Sequence, residues 1–334
     1  MEDRRLDLIN NFKILRQREI DNKQFFKSKA YDNVIKQLES LDQPILTVDD
    51  LSVVKGLGVS LKEKAKLIIE VGYLESTEDA LKDIGKHNAI EEMIKIMGIG
   101  NVKARSLVYD HGITSVVQLK NMISQTPSLL NDKQKLGLKY HSDFCKRIPR
   151  AEMDKHKELL ANTLLDLDPS MIFQITGSYR RGALDSGDID ILITHPKNDK
   201  ALFPKFVERL KEKKYLVDDF ASGSEKYMGV SKLPRHRTCR RIDIMYIDIS
   251  QYAFALLYFT GSQDFNIEMR NHCLEQGYSL SEHGLKYMDG SQKGEFVQGN
   301  FKTEKDVFKF LGLEYVEPSD RKKGGLVVKC SCDS

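Results

Sequence analysis

The chain has 334 residues, enough for two or more domains and a sizeable core. Charged residues make up 30% of it but the formal net charge is only +3, so the overall balance does not by itself point to a polyanionic partner. No apolar run approaches the length of a membrane span and Met1-Glu2-Asp3-Arg4-Arg5 has no signal-peptide core behind it, so a soluble, intracellular protein is expected.

Residues 6–80 carry apolar side chains at helical spacing: Leu6, Ile9, Phe12 and Ile14, then Phe25, Phe26, Tyr31, Val34, Ile35 and Leu38. Lysine and arginine are dense over residues 1–110 with acids interleaved, a pattern that suits basic helix faces turned to phosphate. Val53-Val54-Lys55-Gly56-Leu57-Gly58 precedes a basic helix over Leu61 to Val71 that stops at Gly72. The arrangement returns 42 residues later as Ile96-Met97-Gly98-Ile99-Gly100, followed by Lys103-Ala104-Arg105 and a stop at Gly112. Each unit reads as a hydrophobic helix end, a G-x-G hairpin and a basic helix. One such G-x-G is usually a helix cap and a turn. Repeated with basic followers, it offers N–H groups at a helix start that bind phosphate without reading bases.

Pro149 breaks the pattern after Lys146-Arg147-Ile148, and a new helix is expected over Ala151 to Leu165. Met171 to Ile175 reads as a strand entering a tight turn at Gly177-Ser178 and then a short basic helix. Ile189, Ile191 and Ile193 alternate with Asp188 and Asp190, which puts both carboxylates on one face of a strand and the isoleucines in the core. A lone Asp-x-Asp is more often the solvated edge of an amphipathic strand. Here a Gly-Ser turn precedes it, and Arg240 to Ile247 supplies a third acid, Asp243, in a second alternating strand. Mg²⁺ prefers octahedral oxygen coordination and a two-metal site needs more than one pair of carboxylates, so these three acids form a candidate metal cradle. Lys226 to Val230 reads as a further strand. A helix over Ala253 to Tyr258 then ends at Thr260-Gly261-Ser262, and the next helix carries Asn266 and Arg270 on one face. Cys145, Cys239, Cys273, Cys330 and Cys332 are odd in number and mostly far apart, as expected of free thiols in a reducing compartment.

Gly177 to Asp190, Arg240 to Asp243 and Tyr258-Phe259-Thr260-Gly261-Ser262 resemble the motifs of the family X DNA polymerases, among them the β-type repair polymerases. The resemblance runs from about Lys27 to Arg321, and the repeated hairpins resemble helix-hairpin-helix motifs. It implies an α+β chain in five parts: a lyase and DNA-end-binding domain (1–85), a second hairpin subdomain (86–146), a nucleotidyltransferase palm with a mixed or antiparallel sheet (147–252), an α/β nucleotide-selection subdomain (253–320) and a flexible tail (321–334). The implied activity is template-directed filling of short gaps in base excision repair, with 5′-deoxyribose phosphate lyase activity. A template-independent nucleotidyltransferase and a non-catalytic DNA-end-binding protein are the alternatives.

By the same resemblance, Asp188, Asp190 and Asp243 hold two Mg²⁺ ions, for which Mn²⁺ substitutes. Arg147, Ser178, Arg181 and Gly187 hold the triphosphate. Tyr258, Phe259 and Gly261 line the sugar and base, Asn266 meets the minor-groove edge of the base, and Arg270 meets the template. Lys64 is the implied Schiff-base nucleophile, with Lys27 and Tyr31 in its pocket. Gly56, Gly58, Gly98 and Gly100 approach DNA. K⁺ or Na⁺ sits under the hairpins on the carbonyls of Ser52, Val54 and Leu57, and of Ile94, Ile96 and Ile99. Gapped or nicked DNA and deoxyribonucleoside triphosphates are the implied ligands of a nuclear, monomeric protein with repair-protein partners. The chain departs from the family where Phe26 replaces a histidine, Ser60 and Ser76 replace lysines, Gln263 replaces an aspartate, Met245 replaces an arginine and His283 replaces a tyrosine.

Overall fold

The computed structural model describes residues 3–323, which leaves Gly324, Gly325, Cys330 and Cys332 of the expected tail outside the described residues. The chain divides after Leu138 into two compact units.

The first unit is helical: α1 (Arg5–Asp21), α2 (Phe25–Glu39), α3 (Val59–Val71), α4 (Glu75–Ile94), α5 (Asn101–Tyr109) and α6 (Val116–Gln125), with α7 (Asp132–Phe144) running across the division. It holds two cores. Leu8, Phe12, Tyr31, Val34, Leu38, Ala65 and Ile68 form the first, and Met93, Ile96, Ala104, Leu107, Leu119 and Leu138 the second. Helix α4 serves both, giving Ala80 to one and Ala89, Ile90 and Met93 to the other, so the expected division at 85 and 86 falls inside a continuous helix.

The two G-x-G segments fold alike. Gly56 and Gly98 have φ of +85° and +86°, a region that costs a side-chain-bearing residue, and Gly58 and Gly100 are extended N-caps of α3 and α5. What precedes them differs. The second hairpin follows α4, whereas the first follows only a 3₁₀ turn, Asp49–Val53, whose entry is fixed by Asp50 accepting the N–H groups of Leu46 and Thr47.

Helix α7 lies directly on the second hairpin. A Cβ on Gly137 would stand 2.0 Å from the carbonyl oxygen of Met97, and Gln134 Nε2 donates to the Gly98 carbonyl at 3.1 Å. Gly137→Ala therefore forces backbone apart and is expected to cost about 3 kcal/mol, the upper range for overpacking. Urea denaturation checks this, and an unchanged midpoint would show that α7 is not seated on the hairpin.

The second unit contains β1 (Ile148–Pro149), α8 (Arg150–Leu167), β2 (Ile172–Ile175), α9 (Gly177–Arg180), β3 (Asp185–Ser186), β4 (Ile189–Thr194), α10 (Leu202–Glu212), β5 (Leu216–Ser222), β6 (Lys226–Ser231) and β7 (Arg240–Tyr246). These are followed by α11 (Tyr252–Thr260), α12 (Gln263–Glu275), β8 (Tyr278–Ser281), β9 (Gly284–Asp289), β10 (Gln292–Phe296) and α13 (Glu304–Phe310). A five-stranded sheet has the order β2-β4-β7-β6-β5, with β4 and β7 parallel and the other pairs antiparallel, so it is mixed. A separate antiparallel sheet, β10-β9-β8, shares a core with α11, α12 and α13 built on Phe254, Phe265, Met269 and Phe308.

On the larger sheet, α8 and α10 cover the face that receives Ile189, Ile191, Ile193, Ile242 and Ile244. The expected alternation of β4 holds only at its start. Leu192 is buried as well, because Ala255 of α11 and Ile247 close the other face there, leaving Asp188 and Asp190 at the accessible end.

The chain also stays packed beyond its expected boundary. Arg321, the first residue of the expected flexible tail, is 0% exposed: its Nη1 donates to Glu304 at 2.9 Å and its Nε and Nη2 donate to the Val316 carbonyl. A guanidinium with a buried carboxylate to meet does not behave as a solvated charge.

Candidate active site

The parallel register of β4 and β7 pairs Ile189 with Ile242, Asp190 with Asp243 and Ile191 with Ile244. Two acids far apart in sequence thus become cross-strand neighbours on one face. Burial, and then the neighbouring Asp243 charge, raise the pKa of Asp190 to about 6. Burial also raises that of Asp243, while Arg241 and Lys226 pull it back. Asp243 Oδ1 is buried and has no hydrogen-bond partner among the described residues. At the end of the β2–β4 ladder the Thr176 N–H donates to the Asp190 carbonyl at 2.9 Å. Gly177 has φ +57°, and a Cβ there would lie 3.3 Å from Asp190 Oδ2, so both backbone and space call for glycine at the turn.

Asp188 takes a different partner, an ion pair with Arg241 of β7. Of the three acids, the fold brings Asp190 and Asp243 together and turns Asp188 to a guanidinium. Among the described residues no three His, Cys, Asp or Glu side chains converge as a ready metal site. The donor set nevertheless fits a divalent cation: two adjoining carboxylates oppose each other's charge, and one of their oxygens lacks a partner. A cavity of about 60 Å³ beside them is lined by Thr176, Lys226, Met245 and Phe259.

The segment after the turn is a single helical turn, α9, followed by a loop back to β3. Ser178 Oγ donates to Ser186 Oγ at 3.0 Å. Arg147 donates to Asp185 Oδ1 from Nε at 3.1 Å and from Nη2 at 2.7 Å, and a Cβ on Gly187 would lie 3.2 Å from its Nη1. The adjacent arginines at the end of α9, Arg180 in its last position and Arg181 just beyond, diverge. Arg180 donates to Glu304 at 3.0 and 2.7 Å and to Thr260 Oγ1 at 2.6 Å. Arg181 donates to the Thr260 carbonyl at 2.6 Å, and burial draws its pKa below the usual arginine value.

At the end of α11 the half-buried rings of Tyr258 and Phe259 meet edge to face, 5.2 Å apart. Asn266 Nδ2 donates to the Tyr258 carbonyl at 2.7 Å, and the exposed Arg270 donates from Nε to the Asn266 carbonyl at 3.1 Å. Gly261 lies against Arg181, whose Nη1 would be 3.3 Å from a Cβ at that position. Of the departing residues, Gln263 is exposed and His283 pairs with Gln251 at 3.1 Å.

In the first unit Lys64 is half-buried on α3 and its Nζ donates to the Tyr31 hydroxyl at 2.7 Å. Lys27 is exposed on α2, as is Phe26, at 94%. The carbonyl groups of Ser52, Val54 and Leu57, and of Ile94, Ile96 and Ile99, belong to the two hairpins, and that of Ile96 already accepts the Ile99 N–H at 3.0 Å.

Arg241, Asp185, Ser186 and Glu304 were not singled out from the sequence. Arg241 carried a usable signal: two residues before Asp243 in a strand, it must share that residue's face. The partner of Arg147 depends on the β1–β3 pairing, which two-residue strands do not announce.

Three family models match the chain: DNA polymerase beta palm over residues 147–249, DNA polymerase beta thumb over 255–322, and the fingers domain of DNA polymerase lambda over 91–145. Among curated relatives, DNA polymerase lambda of Rattus norvegicus is 33% identical over 312 residues, covering 89% of this chain and 52% of the relative. DNA polymerase lambda of Arabidopsis thaliana is 32% identical, covering 88% of this chain and 58% of the relative. DNA-directed DNA/RNA polymerase mu of Homo sapiens is 27% identical, with 85% and 62% covered. The chain therefore spans little more than half the length of the lambda relatives. Successive palm and thumb matches over the aspartate strands and the Tyr258–Arg270 helices, with relatives aligned over most of the chain, place this protein in the family X DNA polymerases.

Proposed function

We propose that this chain is a template-directed DNA polymerase that fills short gaps in repair. The observation that carries the proposal is the β4–β7 register, which sets Asp190 beside Asp243 with an unpartnered carboxylate oxygen. Family X polymerases are metal-dependent nucleotidyltransferases. Asp188, Asp190 and Asp243 would hold two Mg²⁺ ions, with Mn²⁺ able to substitute; when bound, the metal lowers the pKa of the primer 3′-hydroxyl and screens the triphosphate.

In this reading Asp243 Oδ1 is the acceptor for the 3′-hydroxyl proton, since it is buried and not already committed to a donor. The 3′-oxygen attacks the α-phosphorus and pyrophosphate leaves. Ser178, Arg181, Gly187 and Arg147 bind the β- and γ-phosphates, with Arg147 reaching them from its place beside Asp185. Tyr258, Phe259 and Gly261 enclose the sugar and base. Asn266 and Arg270 face the minor-groove edge and the template.

Gly56, Gly58, Gly98 and Gly100 let backbone N–H groups approach DNA phosphates on either side of a gap, with K⁺ or Na⁺ on the hairpin carbonyls. The substrates are gapped or nicked DNA and deoxyribonucleoside triphosphates. The site of action is the nucleus, and the protein acts as a monomer with repair-protein partners. No helix among the described residues is long and apolar enough to cross a membrane. Primer extension on a one-nucleotide gap with Mg²⁺ tests the proposal. One-nucleotide addition is expected; tight binding of the gap without addition would favour a non-catalytic DNA-end-binding protein.

The first unit is proposed to remove a 5′-deoxyribose phosphate. Lys64 Nζ would attack the C1′ aldehyde and loss of water gives the imine; loss of a C2′ proton then expels the 3′-phosphate, and with it the DNA strand, by β-elimination, and hydrolysis frees the lysine. The support is local: Lys64 is half-buried against the Tyr31 hydroxyl, and Lys27 opens the same face of α2. Borohydride, which reduces the imine to a stable amine, is expected to trap the wild type on DNA bearing this group. Lys64→Ala should lose the trap and still fill gaps. Equal trapping by Lys64→Ala would move the nucleophile to another amine.

A further inference from the structure

The two-residue strands β1 and β3 pair Ile148 with Ser186 and Pro149 with Asp185, so Arg147 and Gly187 are the next residues outward on this short ladder. Arg147 uses Nε and Nη2 on one carboxylate oxygen of Asp185 and adds a 3.3 Å bond from Nη2 to the Asp185 carbonyl. That grip occupies one edge of the guanidinium and leaves Nη1, which lies over Gly187, the residue leading into Asp188. The loop carrying Asp185 is itself held, because the Arg150 N–H donates to the Leu184 carbonyl at 2.9 Å and Arg150 Nη1 donates to the carbonyls of Tyr179 and Ala183, each at 3.1 Å.

We propose that Asp185 is a positioning residue for the incoming nucleotide, presetting through its ion pair the free edge of Arg147 that meets the triphosphate. The proposal rests on the polymerase reading above. An unanchored arginine loses rotamer freedom when it binds phosphate, whereas a planar fork already fixed along one edge loses little. Asp185 also brings negative charge near a polyanion, but Oδ1 is already neutralised by the same guanidinium, and the second edge of the fork remains available. The two side chains are 57% and 50% exposed, so solvent screening limits the effect to about threefold to fivefold in nucleotide affinity.

Single-turnover addition of dTTP opposite adenine in a one-nucleotide gap, measured against nucleotide concentration, tests the proposal. Asp185→Ala is expected to raise the apparent nucleotide Kd by about threefold to fivefold and to leave the rate at saturation unchanged. Asp185→Asn, which keeps an acceptor for Nε and Nη2 but loses the charge, should bind the nucleotide more tightly than Asp185→Ala and less tightly than the wild type. In an Arg147→Ala background, itself weakened in affinity, Asp185→Ala should add nothing. Tighter binding by Asp185→Ala would show that the carboxylate competes with the triphosphate, and an equal loss with or without Arg147 would show a general structural effect; either overturns the proposal, as does wild-type affinity in Asp185→Ala. A wild-type protein that adds no nucleotide would overturn the polymerase reading and this proposal with it.

Discussion

Asp190→Asn is expected to abolish nucleotide addition and at the same time to stabilise the protein. The activity loss follows from removing one of two adjoining carboxylates at the proposed metal site, and should exceed about a hundredfold, as for other losses of charge stabilisation at a reacting centre. Binding to gapped DNA should stay within about threefold, because phosphate contacts elsewhere dominate affinity.

The stability gain follows from the pKa. Asp190 is raised from 3.8 to about 6, so the fold penalises its charged form. That penalty is fully present above the folded value and absent below the unfolded one. Asparagine should therefore add up to about 3 kcal/mol near neutral pH. The advantage should shrink as pH falls from 6 towards 4. Denaturant midpoints across that range, measured without metal, check the sign. A variant less stable than wild type at pH 7, or one that extends primers at the wild-type rate, would remove Asp190 from a charge-strained site.

Glu304→Gln is expected to produce the largest loss of stability in the second unit. Glu304 is 4% exposed and accepts two bonds from Arg180, one from Arg321 and one from the Tyr315 hydroxyl at 3.1 Å. Burial opposes its charge, but the two arginines outweigh burial and hold the carboxyl below its usual pKa. The contribution is therefore in place above pH 4.5 and lost as pH falls further. Removing the shared anion leaves the buried Arg321 and the partly buried Arg180 without their carboxylate, a change that costs about 3–5 kcal/mol. The variant should melt about 10 °C lower. It should also fill gaps more slowly, since Arg180 ties Glu304 to Thr260, the residue before Gly261. Wild-type melting in this variant would show that the network contributes little.

The parts of this architecture most legible in the sequence are those set by local pattern. Glycine at 56, 58, 98 and 100 marks both hairpins because the φ values and helix caps they adopt are local properties. Alternation marks β4 and β7, and Gly177 marks the turn before the acids. The parallel register that joins Asp190 to Asp243 is not local, since two separate strands give no sign of which neighbours which. Charge was the least reliable guide. Arg180 and Arg181 are adjacent and chemically identical, yet one meets a buried glutamate and the other a backbone carbonyl. Arg321 opens the stretch expected as a flexible tail where the resemblance ends, yet it is held by Glu304, which lies on a different element. Resemblance named Arg147 as a phosphate ligand, but only the fold showed which carboxylate holds it.

The most direct test of the central claim is to vary the template base. In single-turnover reactions on a one-nucleotide gap with Mg²⁺, each of the four deoxyribonucleoside triphosphates is offered opposite each of the four bases, and opposite no base. Template-directed transfer at Asp188, Asp190 and Asp243 predicts that the complementary nucleotide is added fastest at every base, that addition without a template is slower by about a hundredfold or more, and that Asp243→Asn abolishes both. Addition that ignores the template, or that survives in Asp243→Asn, would contradict it.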